Sequence, residues 1–173
     1  AFWGVDERRA EAVVGDLTRP RLGLTRQKLT LLKGKVRHFF HLAAVYDLAV
    51  KRPLGVRINV EGTRNVVEFL QGCPKLQRFD YVSTAYVSGT AVGTYRETDL
   101  DVGQAFKNYY EETKFLAEKV VVDSGLPYAI YRPGIVVGDS RTGETAKFDG
   151  PYFALNAIRK ARNTGSYGVL HGI

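Results

Sequence analysis

The sequence predicts an α/β fold with a doubly wound, mostly parallel sheet. Runs of β-branched and aromatic residues alternate along the chain with runs of helical periodicity. The chain has 173 residues, of which 45% are hydrophobic and 25% charged, which suffices for one domain with a hydrophobic core. Strands that alternate with helices are joined by crossover connections, and these make successive strands parallel.

Four segments are candidate strands. The segments 36–42 and 79–82 combine β-branched and aromatic residues, as buried strands do. The segment 11–14 is shorter and ends at Gly15-Asp16, and the segment 128–131 is closed by Arg132-Pro133-Gly134. We expect these four segments to form the sheet.

Four further segments, 26–33, 59–70, 109–122 and 152–162, are candidate helices. Apolar residues recur at helical spacing in them, and Gly72 follows the second as a stop signal. Cys73 lies between Gly72 and Pro74, so we expect it in a helix-to-strand connection.

Ligands of open parallel sheets bind beyond the carboxyl ends of the strands. In this chain those ends are small, polar or turn-forming: Gly15-Asp16, His41-Leu42-Ala43-Ala44, Ser83-Thr84-Ala85 and Arg132-Pro133-Gly134. A functional site is therefore expected along this edge.

The net charge of +7 leaves several kinds of partner open. The positive charge would attract nucleic acid, an anionic membrane or a phosphate-bearing small molecule. A role in keeping the chain soluble would also account for this charge. Lys and Arg are spread along the chain, and no basic run is interleaved with aromatic residues. We expect no nucleic-acid partner, and no apolar stretch is long enough for a membrane span.

Metal and disulfide chemistry are not expected. Cys73 is the only cysteine, so it has no internal disulfide or metal-binding partner of its own type. His38, His41 and His171 are too few and too scattered for a zinc site. The first residues have no secretory pattern, so the expected location is the reducing cytoplasm.

Tyr110 and Lys114 are four residues apart on a predicted helix and therefore share a face. An ammonium near a phenol favours the phenolate, so we expect Lys114 to lower the pKa of Tyr110 and make it a usable acid or base. Thr84 follows a predicted strand, where its hydroxyl can hydrogen-bond a substrate carbonyl beside this phenol. The alternatives are a chance pair on a solvated helix and a simple turn or helix cap at Thr84.

These residues lie in motifs that resemble the extended short-chain dehydrogenases/reductases. Tyr110-Glu111-Glu112-Thr113-Lys114 matches the YxxxK motif of that family, and Tyr81-Val82-Ser83-Thr84-Ala85 resembles its strand with the catalytic Ser or Thr. Three further stretches resemble its other signatures: His41-Leu42-Ala43-Ala44, Asn59-Val60-Glu61-Gly62-Thr63, and Arg132 to Gly138 as RPxxVxG. The resemblance implies a Rossmann-like fold.

A finer resemblance points to the acyl-thioester reductases, which include fatty acyl-CoA reductases and terminal reductase domains of carboxylic acid reductases and peptide synthetases. It is carried by the stretch from Gly15 to Leu24, which reads GDLTRPRLGL, and by Gly138-Asp139-Ser140. Sugar-nucleotide epimerases and hydroxysteroid dehydrogenases share most of the frame. The implied reaction is hydride transfer from NADPH or NADH to an acyl thioester or the derived aldehyde. A small-molecule or carrier-bound acyl substrate is the implied partner, and a homo-oligomer is left open.

The resemblance implies roles for individual residues. Tyr110 would protonate the carbonyl oxygen, Thr84 would orient the carbonyl, and Lys114 would bind the nicotinamide ribose of NADP or NAD. The remaining cofactor contacts would come from Asp16, Leu17, Ala43, Ala44, Asn59, Pro133, Gly134, Ile135 and Val136, together with Tyr110 and Lys114. For the alanines and Pro133, packing or a turn is an equal alternative, and Asn59 has the alternative of a helix cap.

One expected motif is missing. A dinucleotide-binding fold begins with a strand, a glycine-rich turn and a helix, and the sequence contains no GxGxxG or GxxGxxG. We therefore expect residues 1–173 to form one Rossmann-like domain that lacks its first βα unit and is incomplete at the amino terminus and at the carboxyl terminus. A part of a longer enzyme and a short chain without activity are the two explanations.

Overall fold

The computed structural model describes residues 10–145, 148 and 150–164. It divides into two compact units, residues 1–134 and 135–173. The first unit contains the sheet and most of the helices, and the second contains one helix. The prediction of a single domain stays a prediction.

The sheet of the first unit has three parallel strands in the order β1-β2-β3. Their bounds are His38–His41 for β1, Arg78–Val82 for β2 and Tyr128–Tyr131 for β3. Phe39 lies beside Phe79 in the register, and Phe79 lies beside Tyr128. Three of the four predicted strands are thereby confirmed, with 36–42 shortened at both ends.

Five α-helices are described: α1 Arg26–Lys33, α2 Arg52–Gly55, α3 Gly62–Gln71, α4 Tyr109–Val122 and α5 Pro151–Thr164. A π-helical segment, Val56–Glu61, joins α2 to α3. Two predicted helices, 26–33 and 109–122, have the predicted bounds. The helix expected over 59–70 is the second half of a longer helical run that contains this wider turn.

The predicted strand at 11–14 is wrong. These residues have irregular backbone, and Val14 is 94% exposed. A strand forms only where a neighbouring backbone completes its ladder, and within the described part of the chain none pairs with this segment. Its β-branched composition alone does not supply that partner.

The hydrophobic core lies between one face of the sheet and helices α3 and α4. Its buried members come from α3, β2, α4 and two connections: Leu22, Val66, Val67, Phe69, Leu70, Cys73, Phe79, Tyr81, Ala117 and Val121. On the other face, Phe40 is 63% exposed, whereas its register partner Asp80 is 1% exposed. Alternate strand residues point to opposite faces, which explains why Phe40 is exposed and its neighbour Phe39 packs on the core. The α/β, parallel, Rossmann-like class is confirmed.

The structure bears on membrane spans and metal sites for the described residues only. Among the described residues, no helix has the length and apolarity to cross a bilayer. The same residues contain no group of three or more His, Cys, Asp or Glu side chains placed to hold a metal ion. His171 lies outside the described residues.

Candidate active site

The loop that follows β1 is tied to the helical layer by Asn59. Its side-chain oxygen accepts from the backbone N–H of Val45 at 2.9 Å, and its amide donates to the Val45 carbonyl at 3.1 Å. The same amide donates to the Thr113 hydroxyl of α4 at 3.0 Å. Asn59 is buried in the π-helical segment, so it does not cap a helix. Ala43, which is exposed, and Ala44, which is half-buried, directly precede Val45.

Thr84 lies directly beyond β2 and is buried. Its hydroxyl accepts from the backbone N–H of Tyr86 at 3.3 Å and so caps the short turn Ala85–Ser88. The same hydroxyl acts on the Tyr110 phenol and opposes the rise that burial causes in the Tyr110 pKa. Thr84 is therefore both a cap and a neighbour of the predicted acid.

Helix α4 brings Tyr110 and Lys114 to this edge. Asn108 caps the helix by accepting from the Glu111 backbone N–H at 3.0 Å, and Glu111 in turn accepts from the Lys107 backbone N–H at 3.0 Å. This cap at Asn108 fixes Tyr109 as the first residue of the helix. Tyr110 consequently occupies the first turn, next to the strand ends.

The expected lowering of the Tyr110 pKa by Lys114 is wrong for this structure. The pKa of Tyr110 is raised, chiefly because burial disfavours the phenolate, while the hydrogen bond with Thr84 acts in the opposite direction. The physical reason is the direction of the Lys114 side chain. Its Nζ donates to the Tyr81 hydroxyl and to the Val82 carbonyl, both at 2.8 Å, rather than to Tyr110.

Lys114 is buried, and this placement changes its acid–base behaviour. Burial lowers its pKa to about 8, and the carboxylate of Glu118 opposes that shift. The ammonium also lies over the Tyr81 ring, 4.4 Å from the centroid. A cation with two oxygen acceptors and an aromatic face keeps part of its charge stabilisation despite the loss of water.

A polar network lies under Lys114 that the sequence did not reveal. His41 Nε2 is 3.1 Å from the Thr63 hydroxyl, and the Thr63 hydroxyl donates to the Asn59 carbonyl at 2.6 Å. Thr63 also acts on Tyr81, because it opposes the rise that burial causes in the Tyr81 pKa. The alternation of β2 places Tyr81 on the core side with Phe79, but a contact over 33 residues with Lys114 has no local sequence signal.

A second polar cluster missed by sequence reasoning is formed by Glu118, Arg132 and Ser83. The fully buried Glu118 carboxylate is paired with the Arg132 guanidinium, whose Nε donates at 2.9 Å, and it accepts from the Ser83 hydroxyl at 2.5 Å. Arg132 also stacks on Tyr95, 5.4 Å from the ring centroid. This cluster joins the carboxyl ends of β2 and β3 to α4.

The segment 15–24 lies against α3. The Asp16 carboxylate accepts from the backbone N–H and hydroxyl of Thr18, at 2.9 and 2.7 Å, and these hydrogen bonds lower its pKa. The Leu17 carbonyl accepts from the Asn65 amide at 2.6 Å. A Cβ on Gly62 would be only 3.3 Å from the Leu17 Cβ, so the glycine allows the close approach.

The residues after β3 are divided between the two units. Pro133 and Gly134 end the first unit, and the Pro133 carbonyl accepts from the Ala85 backbone N–H at 3.0 Å. Ile135 and Val136 belong to the second unit and are exposed there. The structure thus gathers Thr84, Tyr110, Lys114, Asn59 and the 43–44 loop around one edge of the first unit.

The chain resembles known proteins over most of its length. Residues 2–169 match the NAD-binding family described as Male sterility protein. The chain is 28% identical over 173 residues to the fatty acyl-CoA reductase wat of Drosophila melanogaster, with 84% of this chain and 34% of that protein covered.

Two solved structures share the fold. The terminal R domain from the myxalamid PKS-NRPS biosynthetic pathway superposes with a TM-score of 0.69 at 29% identity, over 83% of this chain and 38% of that one. The UDP-glucuronic acid 4-epimerase from Bacillus cereus, in complex with NAD, superposes with a TM-score of 0.56 at 25% identity, over 69% and 38%. The chain therefore spans 34% to 38% of the length of these three proteins.

Proposed function

The chain belongs to the male sterility family of NAD-binding extended short-chain dehydrogenases/reductases, and from this premise we propose that it carries the catalytic residues of an NAD(P)-dependent reductase of acyl thioesters. The members of this family are oxidoreductases, so the proposal concerns this chain's own activity and its substrate. The observation that carries it is the placement of Thr84, Tyr110 and Lys114 at the carboxyl edge of the sheet, where Lys114 Nζ donates to the Val82 carbonyl at 2.8 Å and Thr84 acts on the pKa of Tyr110.

The pKa of Tyr110 supports a reductive direction. A carbonyl that accepts hydride develops negative charge on its oxygen and needs a proton there. Because burial raises the pKa of Tyr110, the phenol stays protonated at neutral pH and is available as a donor. A phenolate would instead suit alcohol oxidation, in which the residue must accept a proton.

The residues then have distinct tasks in the reduction. When bound, the nicotinamide supplies the hydride to the carbonyl carbon of the thioester. Thr84 donates a hydrogen bond to the carbonyl oxygen and fixes its direction, and Tyr110 transfers its proton to the same oxygen as charge develops. Collapse of the resulting hemithioacetal breaks the carbon–sulfur bond and yields an aldehyde and a free thiol.

The residues around this edge fit a nicotinamide nucleotide. Lys114 has three N–H donors, and two are directed at Tyr81 and Val82, so the third remains for a ribose hydroxyl. Ala43 and Ala44 present small side chains on the loop that Asn59 clamps, which allows a ligand to approach the backbone. We assign the remaining cofactor contacts to Asp16, Leu17, Pro133, Gly134, Ile135 and Val136.

The substrate class rests on the relatives. A fatty acyl-CoA reductase and a terminal R domain of a peptide synthetase pathway are similar to this chain over 84% and 83% of its length. The likeness to a UDP-glucuronic acid 4-epimerase supports a second candidate, conversion of a sugar nucleotide. A panel of acyl-CoA, acyl-carrier and sugar-nucleotide substrates, assayed with a protein that contains the full chain, separates the two.

The first prediction concerns Tyr110→Phe. Loss of the proton donor should lower kcat by about 10²- to 10⁴-fold for thioester reduction, while NADPH or NADH still binds. Fluorescence titration measures the binding and cofactor absorbance measures the turnover. Tyr109→Phe is the matched control, because that neighbouring tyrosine is exposed.

The result that contradicts the proposal is full turnover by Tyr110→Phe. That outcome would favour a regulatory protein with a dinucleotide fold. In such a protein, Lys114→Ala should also leave function unchanged. If the folded chain binds neither NADPH nor NADH, reductase activity must not be ascribed to residues 1–173 alone.

A further inference from the structure

The environment of Lys114 contains hydrogen bonds whose direction can be assigned. The Lys114 ammonium has no lone pair, so it donates to the Tyr81 hydroxyl at 2.8 Å. The Thr63 hydroxyl gives its single proton to the Asn59 carbonyl at 2.6 Å. Thr63 also acts on Tyr81, because it opposes the rise that burial causes in the Tyr81 pKa.

His41 reinforces the same direction. Because the Thr63 proton is engaged, His41 Nε2, 3.1 Å away, must carry the proton and donate to the Thr63 oxygen. The neutral ring satisfies this requirement, since burial and the charge of Lys114 lower the pKa of His41 to about 4. Thr63 thus accepts from His41 and donates to Asn59.

These hydrogen bonds end at a backbone carbonyl, and a carbonyl has no proton to supply. The polar groups around Tyr81 are therefore suited to hold Lys114 in place and not to conduct protons to it. All the residues involved are buried, namely His41, Asn59, Thr63, Tyr81 and Lys114. A buried, fully satisfied network of this kind restricts its side chains to one geometry.

We propose that Tyr81 is a positioning residue for Lys114: its hydroxyl, which accepts from Nζ at 2.8 Å, sets where the ammonium lies at the end of β2. The proposal rests on the proposed function for its catalytic meaning. It also explains why Lys114 is directed away from Tyr110 and towards the end of β2. The third N–H of Lys114 then has a defined position relative to the site.

The test measures Lys114 directly and needs neither cofactor nor turnover. The full chain is labelled with ¹³C at lysine Cε, and Lys114→Arg identifies the signal. The wild-type signal should titrate near pH 8. Tyr81→Phe keeps the ring but removes an acceptor from a buried ammonium, so the Lys114 pKa should fall by about one unit, since a hydrogen bond to a charged group is worth somewhat more than one unit.

Two further variants sharpen the result. Thr63→Val removes a hydroxyl that acts on the Tyr81 phenol and should lower the Lys114 pKa in the same direction by less. Tyr128→Phe, on the same face of the neighbouring strand, should leave it unchanged. The other titratable groups that face Lys114 are His41 from β1 and Glu118 and Tyr110 from α4, and they are present in every variant.

An unchanged Lys114 pKa in folded Tyr81→Phe overturns the proposal, whatever the activity of the chain. If Tyr81→Phe does not fold, Thr63→Val decides by the same measurement. Where the chain is active, the alkaline limb of kcat should move with the NMR titration in Tyr81→Phe. If the Lys114 pKa moves in an active Tyr81→Phe variant but the alkaline limb of kcat does not, the positioning of Lys114 by Tyr81 has no role in catalysis.

Discussion

At the residue scale, the chemistry of the site depends on which groups Tyr110 and Lys114 face. Tyr110 and Lys114 share a helix face because they are four apart, and Thr84 follows a strand whose composition is evident. The direction of Lys114 was not readable, because its partners Tyr81 and Val82 are 33 and 32 residues away. The predicted effect on the Tyr110 pKa was wrong for that reason.

His41 gives a prediction at the residue scale. It is buried and its pKa is about 4, whereas an unfolded histidine has a pKa near 6.5. Between these values the unfolded state binds the extra proton, so the free energy of unfolding falls as the pH falls through this window. From pH 7 to pH 5 the loss from this group should be about 2 kcal/mol.

Urea denaturation at pH 7 and pH 5 measures this effect. His41→Gln retains a donor for Thr63 and removes the titration, so its stability should depend less on pH than that of the wild type. His38→Gln, at an exposed position of the same strand, should keep the wild-type dependence. Equal pH dependence in wild type and His41→Gln would contradict the assignment.

Helix bounds were predicted correctly where interactions between residues close in sequence stabilise the helix. Helices α1 and α4 have the predicted bounds because their caps, Thr25 and Asn108, accept from backbone N–H groups within the same turn. The segment 11–14 failed because a strand depends on a partner distant in sequence. The π-helical segment Val56–Glu61 was also not predicted, because its periodicity is close to that of the α-helices on either side.

The loop between β2 and α4 gives a prediction at the element scale. Gly89 has φ +52°, and a Cβ there would lie 2.1 Å from the Ala105 carbonyl oxygen, which accepts from the Thr90 backbone N–H at 2.9 Å. Gly89→Ala therefore adds a clash to left-handed strain and should cost about 3 kcal/mol. Gly125 also has a positive φ, +68°, but has open space around it, so Gly125→Ala should cost about 1 kcal/mol.

Chemical denaturation of the two glycine variants compares them directly. Because both positions have a positive φ and only Gly89 faces the Ala105 carbonyl, most of the difference between their losses should come from that contact. Equal losses would mean that the loop relaxes freely and does not close against this carbonyl.

At the scale of the whole molecule, the first unit depends on side chains that join its layers at the functional edge. The buried pair of Glu118 and Arg132 connects α4 to the end of β3, and Ser83 adds the end of β2. Arg132 also donates to the backbone carbonyls of Arg96 and Glu97, at 3.2 and 3.4 Å. The fold class was predictable from alternating elements, but this connection was not, because nothing local distinguishes Glu118 from an exposed helical glutamate.

Removal of one partner should therefore destabilise the unit far more than removal of both. Glu118→Leu leaves the Arg132 guanidinium without its carboxylate, and Arg132→Met leaves a fully buried carboxylate alone, so each should cost about 3 to 5 kcal/mol. The double variant replaces the pair by apolar groups and should lose less than either single variant.

Guanidinium denaturation of the wild type, both single variants and the double variant completes this cycle. Lys119→Met is the control, because its pair with Asp101 has side chains 41% and 55% exposed and should contribute little to stability. Additive losses in the double variant would contradict the argument, since they would mean that each side chain acts on its own. A strong coupling would instead show that the two charges are held as a unit, and that the carboxyl ends of β2 and β3 keep their places beside Thr84 through the pair they share.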